Sequence, residues 1–84
     1  MSETPVTQVS QIILDVRPDI RAGQEPFLKI MAAIDRLDDG QELVLVNEFE
    51  PVPLYHVLGN RGFDHHTEHT PDGVWRVTFN RRDR

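Results

Sequence analysis

The residues best equipped for chemistry fall into two groups. The first is FDHHTEHT, residues 63–70, where His65, His66 and His69 stand beside Asp64 and Glu68. Imidazole and carboxylate groups are common ligands of divalent metals. The second is a Glu-Pro pair that occurs twice, Glu25-Pro26 in GQEPF and Glu50-Pro51 in FEPVP. Each pair follows a strand-like run and precedes a helix-like one.

Strand geometry limits the histidines. The stretch reads as a strand, so His65 and His66 point to opposite faces. His65 and His69 share a face but lie about 13 Å apart along it. Two ligands of one metal must come within about 4 Å of each other, given metal–nitrogen bonds near 2 Å. One strand therefore makes no ready site. His65 and His69 remain the lesser candidates for a metal, through a site built between two subunits. The plainer reading is a polar edge strand that gains positive charge below about pH 6.5. His56 falls on a helix and carries no signal.

The Glu-Pro pairs have a structural reading and a functional one. Proline is favoured at the first helical position, where its missing N–H is not needed. An acid just before it meets the positive end of the helix dipole, worth about 0.3–1 kcal/mol. Both corners also lie at the carboxyl ends of neighbouring strands, where open α/β sheets bind ligands. With Glu25 and Glu50 in place an anion is disfavoured, and a cation, a basic peptide or a partner's Arg fits better. Asp15, Asn47 and Glu48 lie close in sequence and extend an acidic rim. The candidate partner-binding residues are Glu25, Pro26, Glu50, Pro51 and Asp15.

These groups need elements to position them. Residues 1–10 read as a flexible arm, 11–81 as a single domain and 82–84 as a charged tail. QIILDV, residues 11–16, is β-branched and apolar, a first strand. A loop over 17–23 leads to a helix from Pro26 to Leu37, with Phe27, Ile30, Met31, Ile34 and Leu37 on one stripe. ELVLVN, residues 42–47, is the second strand. A second helix follows Pro51 and runs to about Asn60, with Leu54, Val57 and Leu58 inward. Residues 63–70 and 74–80 form a hairpin around Pro71-Asp72-Gly73. Its last strand alternates, with Trp75, Val77 and Phe79 on one face.

The order β-α-β-α-β-β makes the first two strands parallel. The polar third strand suits an edge and the apolar fourth an interior position. The expected fold is an α+β two-layer sandwich with a mixed four-stranded sheet in order 1-2-4-3 and two helices on one face. The other face is open and carries Ile13, Asp15, Val74, Arg76, Thr78 and either Leu43 and Leu45 or Val44 and Val46. Such a face suits a homodimer or another partner.

Composition narrows the function. The chain has 84 residues, nine basic and 14 acidic, for a net charge of 9 − 14 = −5. That balance argues against nucleic acid, since phosphate needs a cationic face. Arg76, Arg81, Arg82 and Arg84 form only a short basic patch. The absence of cysteine removes disulfides, thiolate metal sites and cysteine nucleophiles. No Gly-rich phosphate loop appears, and Ser2 and Ser10 have no triad around them. MSETPVTQVS lacks the blocks of a signal peptide, and no apolar run approaches the roughly 20 residues of a membrane helix. The expectation is a cytoplasmic protein that is not an enzyme, holds no cofactor and binds neither nucleic acid nor membrane.

The motifs LDVRPD, GQEPF, IMAAID, GQELVLVNEFEPVPLY, RGF and DGVWRVTF occur in that order over residues 11–81. Together they resemble the TusA/SirA-like fold group, and more closely the SirA-like family called domain of unknown function 2249. The sulfur carriers of that group hold a persulfide on the cysteine of a Cys-Pro-x-Pro motif at the start of their first helix. Here Pro26 matches the second proline and Gly23 stands at the cysteine position, so the relatives' sulfur relay does not transfer. The resemblance implies a setting in redox or nitrogen-oxide metabolism and no role for any residue. The function expected is a small protein-interaction module. The alternative is a small-ligand or metal carrier using the acidic corner and the strand-three histidines.

Overall fold

β-Branched runs and apolar stripes decide the architecture. A computed structural model describes residues 10–82. In chain order they form β1 (Gln11–Asp15), α1 (Arg17–Arg21), α2 (Phe27–Asp35), β2 (Glu42–Asn47), α3 (Val52–Asn60), β3 (Phe63–His69) and β4 (Trp75–Arg81). The strands make one sheet in the order β1-β2-β4-β3, as their polarity required. β1 is parallel to β2, and β4 is antiparallel to both its neighbours.

Ile30, Met31 and Ile34 of α2 and Leu54 and Leu58 of α3 meet Leu43, Leu45, Val77 and Phe79 in one cluster. Both helices therefore cover the same sheet face, and the fold is the expected two-layer α+β sandwich. Leu43, Leu45, Leu58, Val77 and Phe79 are completely buried. Each such side chain contributes about 1.5–3 kcal/mol, so this cluster holds the layers together.

On the opposite face Val44 pairs with Ile13 and Thr78, and Val46 with Asp15 and Arg76. It is thus the valines, not Leu43 and Leu45, that face away from the helices. Both are nonetheless buried. The apolar surface left there is chiefly Ile13, 60% exposed.

Three local features differ from the expectation. The loop over 17–23 contains the short helix α1. The Asp15 carboxylate accepts the Arg17 backbone N–H at 3.0 Å, which starts the turn. The Gln24 N–H reaches the Asp19 carbonyl at 2.9 Å and the Gly23 N–H reaches Ile20 at 3.0 Å. That paired closure needs a left-handed residue, supplied by Gly23 at φ 76°. Second, α2 ends at Asp35 rather than Leu37, and Phe27 at its start is 37% exposed. Third, Pro26 and Pro51 sit one position earlier than expected, as the N-caps of α2 and α3. Neither cap receives a side-chain hydrogen bond.

The expected arm falls mostly outside the described residues, but the Ser10 carbonyl accepts the Glu42 N–H at 3.0 Å and extends the β1–β2 ladder. Of the charged tail, Arg82 lies against β3, its guanidinium 3.0 Å from Asp64. Among the described residues no helix is long and apolar enough to cross a membrane.

Candidate functional site

β1 and β2 end side by side; β2 leads straight into the turn at Glu50-Pro51, whereas α1, not a strand as expected, precedes the turn at Glu25-Pro26. Between those turns lies an open cleft of about 200 Å³, lined by Ile20, Glu25, Pro26, Asn47, Phe49, Pro51, Pro53 and Leu54. Pro26, Pro51 and Leu54 are buried wall, while Phe49 is 49% exposed at the mouth. Phe27 and Val52, next in sequence to the two prolines, are also exposed apolar residues. The lining is therefore apolar except for Glu25 and Asn47.

The sequence candidates separate here. Glu25, Pro26 and Pro51 line the cleft together. Glu50 does not line it. Its carboxylate accepts the Tyr55 hydroxyl at 3.0 Å. The same hydroxyl lies 2.6 Å from Thr67 Oγ1. Tyrosine has one proton to give, so Tyr55 donates to Glu50 and accepts from Thr67. Burial is the main cause pushing the Tyr55 hydroxyl above its ordinary value, and Glu50 adds to it.

Asp15 is farther removed. Leu14 packs against the core, so strand alternation turns Asp15 to the other face. There the Arg17 guanidinium grips it through two hydrogen bonds of 2.9 and 2.8 Å. These bonds hold the Asp15 carboxyl below the usual carboxylate range. Two more acids near the corner have cations of their own. Glu48 pairs with Arg21, and Asp19 with Lys29 at 2.8 Å. Among the described residues Glu25 has neither an ion pair nor a side-chain hydrogen bond.

Residues 13–81 match the family described as Uncharacterized conserved protein (DUF2249). The chain belongs to this family. No curated protein and no solved structure matches it. Membership in DUF2249 carries no activity with it, so the geometry of the chain must carry any functional reading.

In this DUF2249 chain the histidines are engaged with aromatic rings. His65 stacks on Tyr55 with centroids 3.7 Å apart, and His69 stacks on Trp75 at 3.9 Å. His66 is exposed on the other face. Among the described residues no group of three or more His, Asp or Glu side chains is placed to hold a metal. Sequence reasoning passed over Ile20, Phe49, Pro53 and Leu54 as cleft residues. Phe49 offered a signal, an aromatic residue between two acids that belongs to no apolar stripe.

Proposed function

We propose that the chain is a non-enzymatic docking module. Its cleft between Pro26 and Pro51 seats one apolar side chain of a partner protein that has a Lys or Arg beside it. One observation carries this reading: an apolar cleft at the strand ends with a carboxylate at its lip, Glu25, that has no cation among the described residues, while Asp15, Asp19 and Glu48 each have one. The cleft, at about 200 Å³, is smaller than the roughly 300 Å³ at which cofactor and drug-sized sites begin, and it suits a side chain. One buried apolar anchor contributes about 1.5–3 kcal/mol and an exposed ion pair up to about 1 kcal/mol. Association itself costs at least about 4 kcal/mol, which cancels these gains, so a short peptide binds far more weakly than millimolar and a folded partner must add contacts around Phe27, Phe49 and Val52. The redox setting implied by the resemblance tells where to look for that partner.

The test is a solution NMR titration with acetylated, amidated Ala-Lys-Leu-Ala and its Ala-Glu-Leu-Ala counterpart. Amide shifts should centre on Glu25, Asn47, Phe49 and Leu54 with the lysine peptide alone, and disappear in Glu25→Lys. Absence of shifts at the highest soluble peptide concentration, or equal shifts with both peptides, would sink the reading.

A further inference from the structure

The cleft presents a donor that no side chain or backbone group among the described residues receives. Asn47 is the only buried polar side chain among the described residues, at 3% exposure. Its Oδ1 accepts the Glu48 backbone N–H at 2.8 Å. That bond fixes which way the amide faces, with the oxygen toward its own backbone and the NH2 group away from it. No acceptor for this NH2 group lies among the described residues. No buried side-chain nitrogen or oxygen among the described residues lacks a partner, so this NH2 group is not sealed in the wall but opens onto the cleft that Asn47 lines. There it can donate to a group arriving from outside.

The chemistry of that group is constrained. It must be an acceptor, and Glu25 in the same lining repels an anionic one. It must reach the cleft together with an apolar side chain. A peptide carbonyl meets all three conditions. In a helix that carbonyl is already bonded within the helix, so the arriving segment is extended. We infer that Asn47 is a specificity-determining residue whose NH2 group donates to a main-chain carbonyl of an extended partner segment. The segment's apolar side chain lies between Pro26 and Pro51, and its Lys or Arg faces Glu25. The proline walls have few torsions to freeze, which lowers the cost of ordering. This assignment rests on the docking reading above.

The experiment replaces each amide of acetylated, amidated Ala-Lys-Leu-Ala in turn by an ester, a weaker acceptor, and measures affinity by NMR titration. The protein is wild type, Asn47→Asp or Asn47→Ala. Asn47→Asp keeps the acceptor for Glu48 N–H and loses the donor. Only the coupling between ester and substitution is read, so the added charge cancels. One ester should weaken binding to wild type about five- to tenfold, the size of one hydrogen bond, and have no effect in either variant. Equal ester effects in wild type and variants overturn the assignment while leaving docking intact. So does tighter binding of a helix-constrained version of the peptide. If neither variant folds, the wild-type scan decides: one sensitive carbonyl supports Asn47, and uniform sensitivity overturns it. If wild type binds no lysine peptide, the docking reading falls and this assignment falls with it.

Discussion

The two Glu-Pro corners are alike in sequence and unlike in what their acids do. Glu50 follows β2 directly and Glu25 follows α1, but both prolines are buried N-caps in the wall of one cleft. Yet Glu50 is held by Tyr55, and Glu25 is held by no side chain among the described residues. The cause lies five residues along. After Glu50 comes Tyr55, on the flank of α3 that faces Thr67 of β3. At the same offset from Glu25 comes Ile30, an apolar residue 2% exposed in the core, which has nothing to donate. A repeated motif thus yields one acid tied into the structure and one that no side chain among the described residues holds.

The largest expected effect strikes what the corners share. Leu54 lines the cleft and belongs to the core cluster, at 8% exposure. Leu54→Ala should cost about 2–5 kcal/mol in denaturant unfolding. A loss under about 1 kcal/mol would mean that the cleft wall is not part of the core and that the corners do not rest on one scaffold.

Next comes the hook that makes them differ. Tyr55→Phe removes the donor to Glu50 and the acceptor of Thr67, and should cost about 0.5–1.5 kcal/mol for each bond lost. It should also change the alkaline limb of stability. The folded Tyr55 hydroxyl titrates above its ordinary value. The stability linked to it is therefore complete below the unfolded value of about 10 and is lost as pH rises through the higher folded value. Wild type should lose stability more steeply than Tyr55→Phe over that range. Parallel curves would show that Tyr55 is not held.

The parts of this arrangement were unequally legible in the sequence. The sheet order was readable because 63–70 is polar and 74–80 alternates. The α2 core was readable because Ile30, Met31 and Ile34 make a stripe. α1 was not, since five residues are too few for periodicity and its bounds are set by the Asp15 carboxylate and by the backbone at Gly23. Proximity in sequence grouped Asp15 with Glu25, although strand parity separates them in space. The Glu50–Tyr55 bond was hidden because a spacing of five is no helical spacing and Glu50 precedes its helix. Asn47 reads as the polar end of a strand. Only the bond from Glu48 N–H shows that its NH2 group is left over.

The smaller effects separate Glu25 from the acids that have partners. Asp15, with its carboxyl lowered by Arg17, contributes stability that is complete above the unfolded value of about 3.9 and is lost as pH falls through the lower folded value. Asp15→Asn should therefore flatten the acid limb of a thermal-unfolding series, because the neutral amide no longer couples folding to that proton. Glu25→Gln should alter stability at pH 7 by no more than about 0.5 kcal/mol, as for an exposed surface position. The same Glu25→Gln chain should lose most of its preference for Ala-Lys-Leu-Ala over Ala-Glu-Leu-Ala. A chain that folds like wild type and no longer distinguishes the two peptides would place the charge recognition on Glu25. A chain that still distinguishes them would move it to Glu50, and the difference between the corners would then be structural alone.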